Sequence, residues 1–143
     1  MRRFNTNYGS EALGKLKRNP YEAGYEVGLD FYTCDLIARK GKKDPYDKER
    51  INALVKTALL EQLSNGHCYC SMKMLMSGIN YTLKRAAYQN EIPETLIAMA
   101  LQTNKEFVVE KADAVRIYLK FIWKQEKTVA QQIRRLSRAS SPL

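Results

Sequence analysis

Apolar residues recur at steps of three and four along most of this chain, and strand-like alternation is confined to one short stretch. "SEALGKLKR" predicts a short helix over residues 10–18, with Ser10 as its N-cap. Pro20 suits the first turn of a second short helix, "YEAGYEV", and Gly28 begins a turn. In "FYTCDLIARK", Phe31, Cys34, Ile37 and Ala38 share one helical face, and Gly41 is a fitting stop. After the linker "GKKDPYD" comes the strongest helix. Ile51, Leu54, Val55, Ala58, Leu59 and Leu63 line its inner face, and Asn65-Gly66 closes it. "HCYCS", residues 67–71, predicts a brief strand, and Met72, Leu75, Ile79 and Leu83 predict a helix over about 72–88. Pro93 opens another helix with Leu96, Ile97, Ala100 and Leu101 inward. "EFVVE" and "VRIYL", separated by "KADA", predict a β-hairpin at about 106–119. A last helix is expected over about 120–138.

The expected class is therefore mainly α. A helix-hairpin-helix segment, residues 1–45, precedes a winged-helix-like α+β domain with a small β-hairpin, residues 46–119. A basic amphipathic C-terminal helix and tail, residues 120–143, completes the chain. From residue 47 the order helix, strand, helix, helix, hairpin is that of a winged helix, a variant of the helix-turn-helix.

Charge sharpens this picture. The 143 residues carry 24 Lys+Arg against 15 Asp+Glu, a net charge of +9. Such an excess favours a polyanionic partner, nucleic acid first. No run approaches the roughly 18 apolar residues of a membrane span, and no apolar stretch follows the opening arginines as in a signal peptide. A cytoplasmic protein with reduced thiols is expected, and no membrane partner. No Gly-rich phosphate loop ending in Lys-Ser/Thr is present, and His67 is the one histidine, with no acid close to it in sequence. No catalytic residue is expected. Strand alternation puts Cys68 and Cys70 on one face and His67 on the other, so the three do not converge on a metal, and none is expected.

Two basic features remain. Arg39, Lys40, Lys42 and Lys43 lie at the end of the helix that follows the Gly28 turn. They read either as neighbours of a bound phosphate or as cations favoured by the helix dipole. In the last helix Lys120, Lys124, Lys127, Arg134, Arg135 and Arg138 fall on one side, with Ile122, Val129, Ile133 and Leu136 opposite. The expectation is a packed apolar face and an outward basic face, either merely solvated or tracking phosphates. The helix at 93–104 has no Lys or Arg, so contacts would be to the DNA backbone rather than to base edges.

Four stretches, in order, resemble the N-terminal region of RecD/TraA-type DNA helicases, the RecD-like kind related to the exodeoxyribonuclease V alpha chain. "YGSEALGKLKRNPYEAG" resembles the family's lead-in ending in Asn-Pro-Tyr. "VGLDFYTCDLIARKG" resembles its hairpin, Gly-Ile-Gly-Phe-x-Thr-Ala-Asp and a helix. "DKERINALVKTALLEQLSNGHCYC" resembles its "ERI" helix and "GH-x-Y" strand. "FVVEKADAVRIYLKFIWKQEKTVAQQIRRL" resembles its closing hairpin and helix. The resemblance implies a noncatalytic accessory region of a 5′→3′ helicase, contacting single-stranded or forked DNA without sequence preference or bracing a helicase motor. The ATP and Mg belong to that motor, so no cofactor is expected in this chain. By the same resemblance Gly28, Phe31 and Thr33 are the hairpin's DNA-contact candidates. Three positions depart from the family: Asp30 for the second hairpin glycine, Tyr32 for a basic residue, and Ser71 for a proline. Asp30 is expected to strain the turn and to place negative charge where a phosphate would sit.

Overall fold

The computed structural model describes residue 11, residues 13–87 and residues 89–139, with side chains given through Ser137. The expected cap at Ser10 lies outside the described residues. Helix α1 covers 13–18 and ends where Pro20 opens α2 (Pro20–Glu26). Asn19 caps α2, its side-chain oxygen accepting from the Glu22 N–H at 3.1 Å. Gly28, at a φ of 86°, turns the chain out of α2, and the Leu29 N–H returns to the Gly24 carbonyl at 2.9 Å. This is a Schellman closure, which needs the left-handed conformation that glycine adopts without a Cβ clash.

The next helix, α3 (Phe31–Lys40), starts two residues later. It lies so close to α2 that a Cβ on Gly24 would stand 2.4 Å from Cys34 Sγ. Gly41 does not supply the turn that ends α3. It has a φ of −82°, and Lys42 takes the left-handed conformation at 56°. The Lys43 N–H then closes onto the Ala38 carbonyl at 3.0 Å, which makes Lys42 the residue just beyond the cap.

Helix α4 (Lys48–Ser64) is the central rod, burying Ile51, Leu54, Val55, Ala58 and Leu59. It ends at Gly66 by the same kind of closure, with a 2.8 Å bond from the His67 N–H to the Gln62 carbonyl. The strand expected over 67–71 reduces to one bridge, Cys70 with Ile117, bonded in both directions at 3.1 and 2.9 Å. Ser71 then caps α5 (Met72–Leu83). That helix stops five residues short of the expected 88, because the chain turns to carry Ala86 and Ile92 into the core. Helix α6 (Glu94–Thr103) follows, then strands β1 (Phe107–Lys111) and β2 (Val115–Leu119), antiparallel with Phe107 opposite Leu119. Phe107, Ile117 and Leu119 point into one hydrophobic core, which Tyr21, Phe31, Cys34 and Ala38 also enter.

The mainly helical fold with its small hairpin and C-terminal helix is the one expected. One correction concerns that helix, α7 (Lys120–Ala139). Ile122 is buried and Trp123 half-buried, but Val129, Ile133 and Leu136 are 52%, 60% and 68% exposed. The reason is length. Twenty residues of helix reach about 30 Å, while the strands beneath are five residues long, about 17 Å. The apolar face outruns the surface it was expected to pack on.

Candidate nucleic-acid interface

The hairpin has the shape of a phosphate cradle without its chemistry. Asp30 has an extended backbone, with a φ of −80°, so the expected strain is absent and Gly28 alone carries the positive φ. Its carboxylate instead caps α3, accepting from the Thr33 N–H at 2.9 Å. That bond holds the Asp30 carboxyl below its ordinary pKa, so a full negative charge sits at the helix N-terminus. A phosphate would meet this charge and find the Thr33 N–H already taken. Phe31 is buried, its ring stacked on Tyr21 at a centroid distance of 5.6 Å.

The surroundings are acidic as well. A cavity of about 360 Å³ beside the hairpin is lined in part by Glu22, Glu26, Glu49 and Glu106. Lys56, on the same wall, bridges to Glu106 at 3.4 Å and lies 4.4 Å from the centre of the Tyr25 ring. Burial raises the Glu49 carboxyl, and one oxygen each of Glu49 and Asn52 is shut from solvent without a hydrogen-bond partner.

What holds the hairpin in place is a buried ionic network. Arg50 meets Asp35 through two bonds, Nε–H to Oδ1 at 2.7 Å and Nη2–H to Oδ2 at 3.2 Å. The Tyr21 hydroxyl donates to Asp35 Oδ1 at 2.6 Å, and Arg50 Nη1–H reaches the Pro45 carbonyl at 3.0 Å. Burial, then the Asp35 carboxylate, pushes the Tyr21 hydroxyl well above the ordinary tyrosine range. Helices α2, α3 and α4 each contribute one residue, so the turn between α2 and α3 is set against α4.

The cations at the far end of α3 divide by their contacts. Arg39 Nη1–H donates to the Ala87 carbonyl at 3.1 Å, and Lys43 Nζ donates to the Arg18 carbonyl. These are structural ties between segments distant in sequence. Lys40 and Lys42 are exposed. The Arg39 tie joins the end of α3 to the turn after α5, in which Lys84 and Arg85 are exposed and were not singled out by the sequence; Arg85 lies 5.1 Å from the centre of the Tyr81 ring. No local pattern could have joined Arg39 to Ala87, because the contact spans 48 residues.

Along α7 the basic face is real but not uniform. Lys127 is spent on Glu110 at 3.0 Å and lies 5.7 Å from the Trp123 ring centre. The Trp123 indole N–H donates to the same Glu110 oxygen at 2.9 Å. Those two donors hold the Glu110 carboxyl below its ordinary pKa and fasten the start of α7 to β1. Lys120 is half-buried beside the hairpin. Lys124, Arg134 and Arg135 are exposed, and no acid among the described residues forms an ion pair with them. The side chain of Arg138 lies outside the described residues. Cys68 is exposed, and Cys70 is buried, its thiol pushed up to about 11. Among the described residues no group of His, Cys, Asp and Glu could hold a metal, and no helix is long and apolar enough to cross a membrane.

Residues 1–69 match the family model of the HHH domain of the ATP-dependent RecD2 DNA helicase. The match takes in Tyr21, the Gly28 hairpin, Asp35 and Arg50, and it stops one residue before the Cys70 bridge. No curated protein matches the chain.

Proposed function

We propose that this chain is a noncatalytic accessory region of a RecD-like DNA helicase, and that it holds single-stranded or forked DNA by its backbone, without reading sequence. The match to a helicase HHH domain supports the setting. The observation that carries the DNA contact is the row of exposed Lys124, Arg134 and Arg135 on one side of α7. Lys40 and Lys42, exposed at the end of α3, are the second candidate contact. The hairpin acts here as a strut rather than a contact, because Asp30 fills its anion site.

The test is charge reversal. A chain carrying Lys124→Glu, Arg134→Glu and Arg135→Glu should keep its unfolding midpoint and lose most of its affinity for a labelled single-stranded oligonucleotide, read by fluorescence anisotropy. Unchanged affinity would reject α7 as the contact. A second reading is a brace that touches a helicase motor and no DNA, favoured by the acidic lining around the hairpin. It is supported if the unmodified chain binds no DNA but is retained by a helicase motor domain.

A further inference from the structure

We propose that the groove between α4 and α5 takes a base of single-stranded nucleic acid, stacked on Tyr81. The two helices approach most closely at two small residues: a Cβ on Gly78 would stand 3.3 Å from the Ala58 Cβ. Beside that contact lies a hollow of about 390 Å³, lined by both helices and open to solvent. Its size is that of small-molecule sites. On the α5 wall stand Lys73, Met74, Ser77 and Tyr81. At about 100° per residue these four fall within one arc of the helix.

The chemistry of the wall fits a flat ring with polar edges. Met74 and Tyr81 are 38% and 49% exposed, so apolar and aromatic surface is open there. Around it the side chains of Gln62, Asn65 and Ser77, and the Tyr81 hydroxyl, make no hydrogen bond among the described residues. A base stacked on the Tyr81 ring covers the apolar surface and brings its own donors and acceptors to those groups.

Charge identifies the base as part of a strand. Lys73 stands at one end of the wall, about 12 Å along the helix from Tyr81. Lys84 and Arg85 follow Tyr81 in the next turn, and the Arg85 guanidinium carbon lies 5.1 Å from the Tyr81 ring centre. All three cations are exposed, and none forms an ion pair among the described residues. Glu61 is the one acid in the lining. An acidic peptide would use the cations and leave the ring idle, and an apolar helix would leave both the amides and the cations unmatched. A single strand uses each of them, its base on the ring and its phosphates beside the cations. Stacking accepts any base, so the groove adds affinity without reading sequence. The inference rests on the reading of this chain as a DNA contact and gives it a site apart from α7.

The test compares a short single-stranded oligonucleotide with the same strand made abasic, which keeps the phosphates and drops the bases. By fluorescence anisotropy the unmodified chain should bind the base-bearing strand about tenfold more tightly, within the roughly 5- to 150-fold that one aromatic stack contributes. Tyr81→Ala should erase that preference and leave the salt slope as it was, because a stacked base releases no counterion. Its unfolding midpoint should not move, since the ring is half exposed. Tyr81→Phe should keep the preference. Equal affinity for the two strands, or a preference that survives Tyr81→Ala, overturns the proposal and leaves the cations of α7 as the contact. A chain that binds neither strand overturns the DNA reading and this site with it.

Discussion

Asp35 and Arg50 are both fully buried, at 0% exposure, and each is the other's counter-charge. Removing one half of such a pair strands the other charge in a low-dielectric interior, at a cost of about 3–5 kcal/mol. Asp35→Asn is therefore expected to lower stability by that amount in urea unfolding, far more than an exposed change such as Lys40→Asn. A loss under about 1 kcal/mol would mean that Arg50 finds other partners. Asp30 is the milder case, an exposed cap whose loss in Asp30→Ala should cost about 1 kcal/mol at neutral pH. Its folded pKa is depressed by the Thr33 N–H. Its contribution is thus present above the ordinary carboxylate range and lost as pH falls through the folded value. The stability gap between Asp30→Ala and the unmodified chain should close at low pH. A gap that stays constant would assign the effect to something other than the charged carboxylate.

Among the elements, helices ended by local chemistry were legible and long-range matters were not. Pro20, Gly28 and Gly66 mark their boundaries because a proline ring or a left-handed turn is a local demand. Asp30 carried a readable signal too, an acid directly before an apolar helix, but comparison with the family's glycine drew attention to strain instead. The Asp35–Arg50 bond and the Arg39–Ala87 tie were invisible, since neither residue's partner follows from spacing. Periodicity also showed that α7 has an apolar side without showing whether anything covers it. At the end of α3 the obvious stop, Gly41, was one residue early. Lys42 bears the positive φ there, at about 1 kcal/mol above glycine. Lys42→Gly should stabilise the fold by about that much and weaken DNA binding if the lysine touches phosphate. Stabilisation with unchanged affinity would leave Lys42 outside the interface.

At the scale of the whole molecule, acids gather at the hairpin. Glu22, Glu26, Asp30, Glu49 and Glu106 lie there, while exposed cations are spread over the surface, with Lys40 and Lys42 at the far end of α3, Lys124, Arg134 and Arg135 on α7, and Lys15, Lys48, Lys73 and Lys111 elsewhere. That acidic lining disfavours a polyanion at the hairpin, so the match to an HHH domain does not by itself locate a DNA contact. Counterion release makes the consequence measurable. If Lys40, Lys42, Lys124, Arg134 and Arg135 carry all the contacts, log K should fall with log salt at a slope no steeper than about −3.5, at about 0.7 per phosphate on single strands. The triple reversal on α7 removes three of the five and should flatten that slope by about 2. A slope near zero in the unmodified chain would mean that no phosphate is neutralised. A steep slope that survives the triple reversal would move the contact to the α3 end, to Lys40 and Lys42.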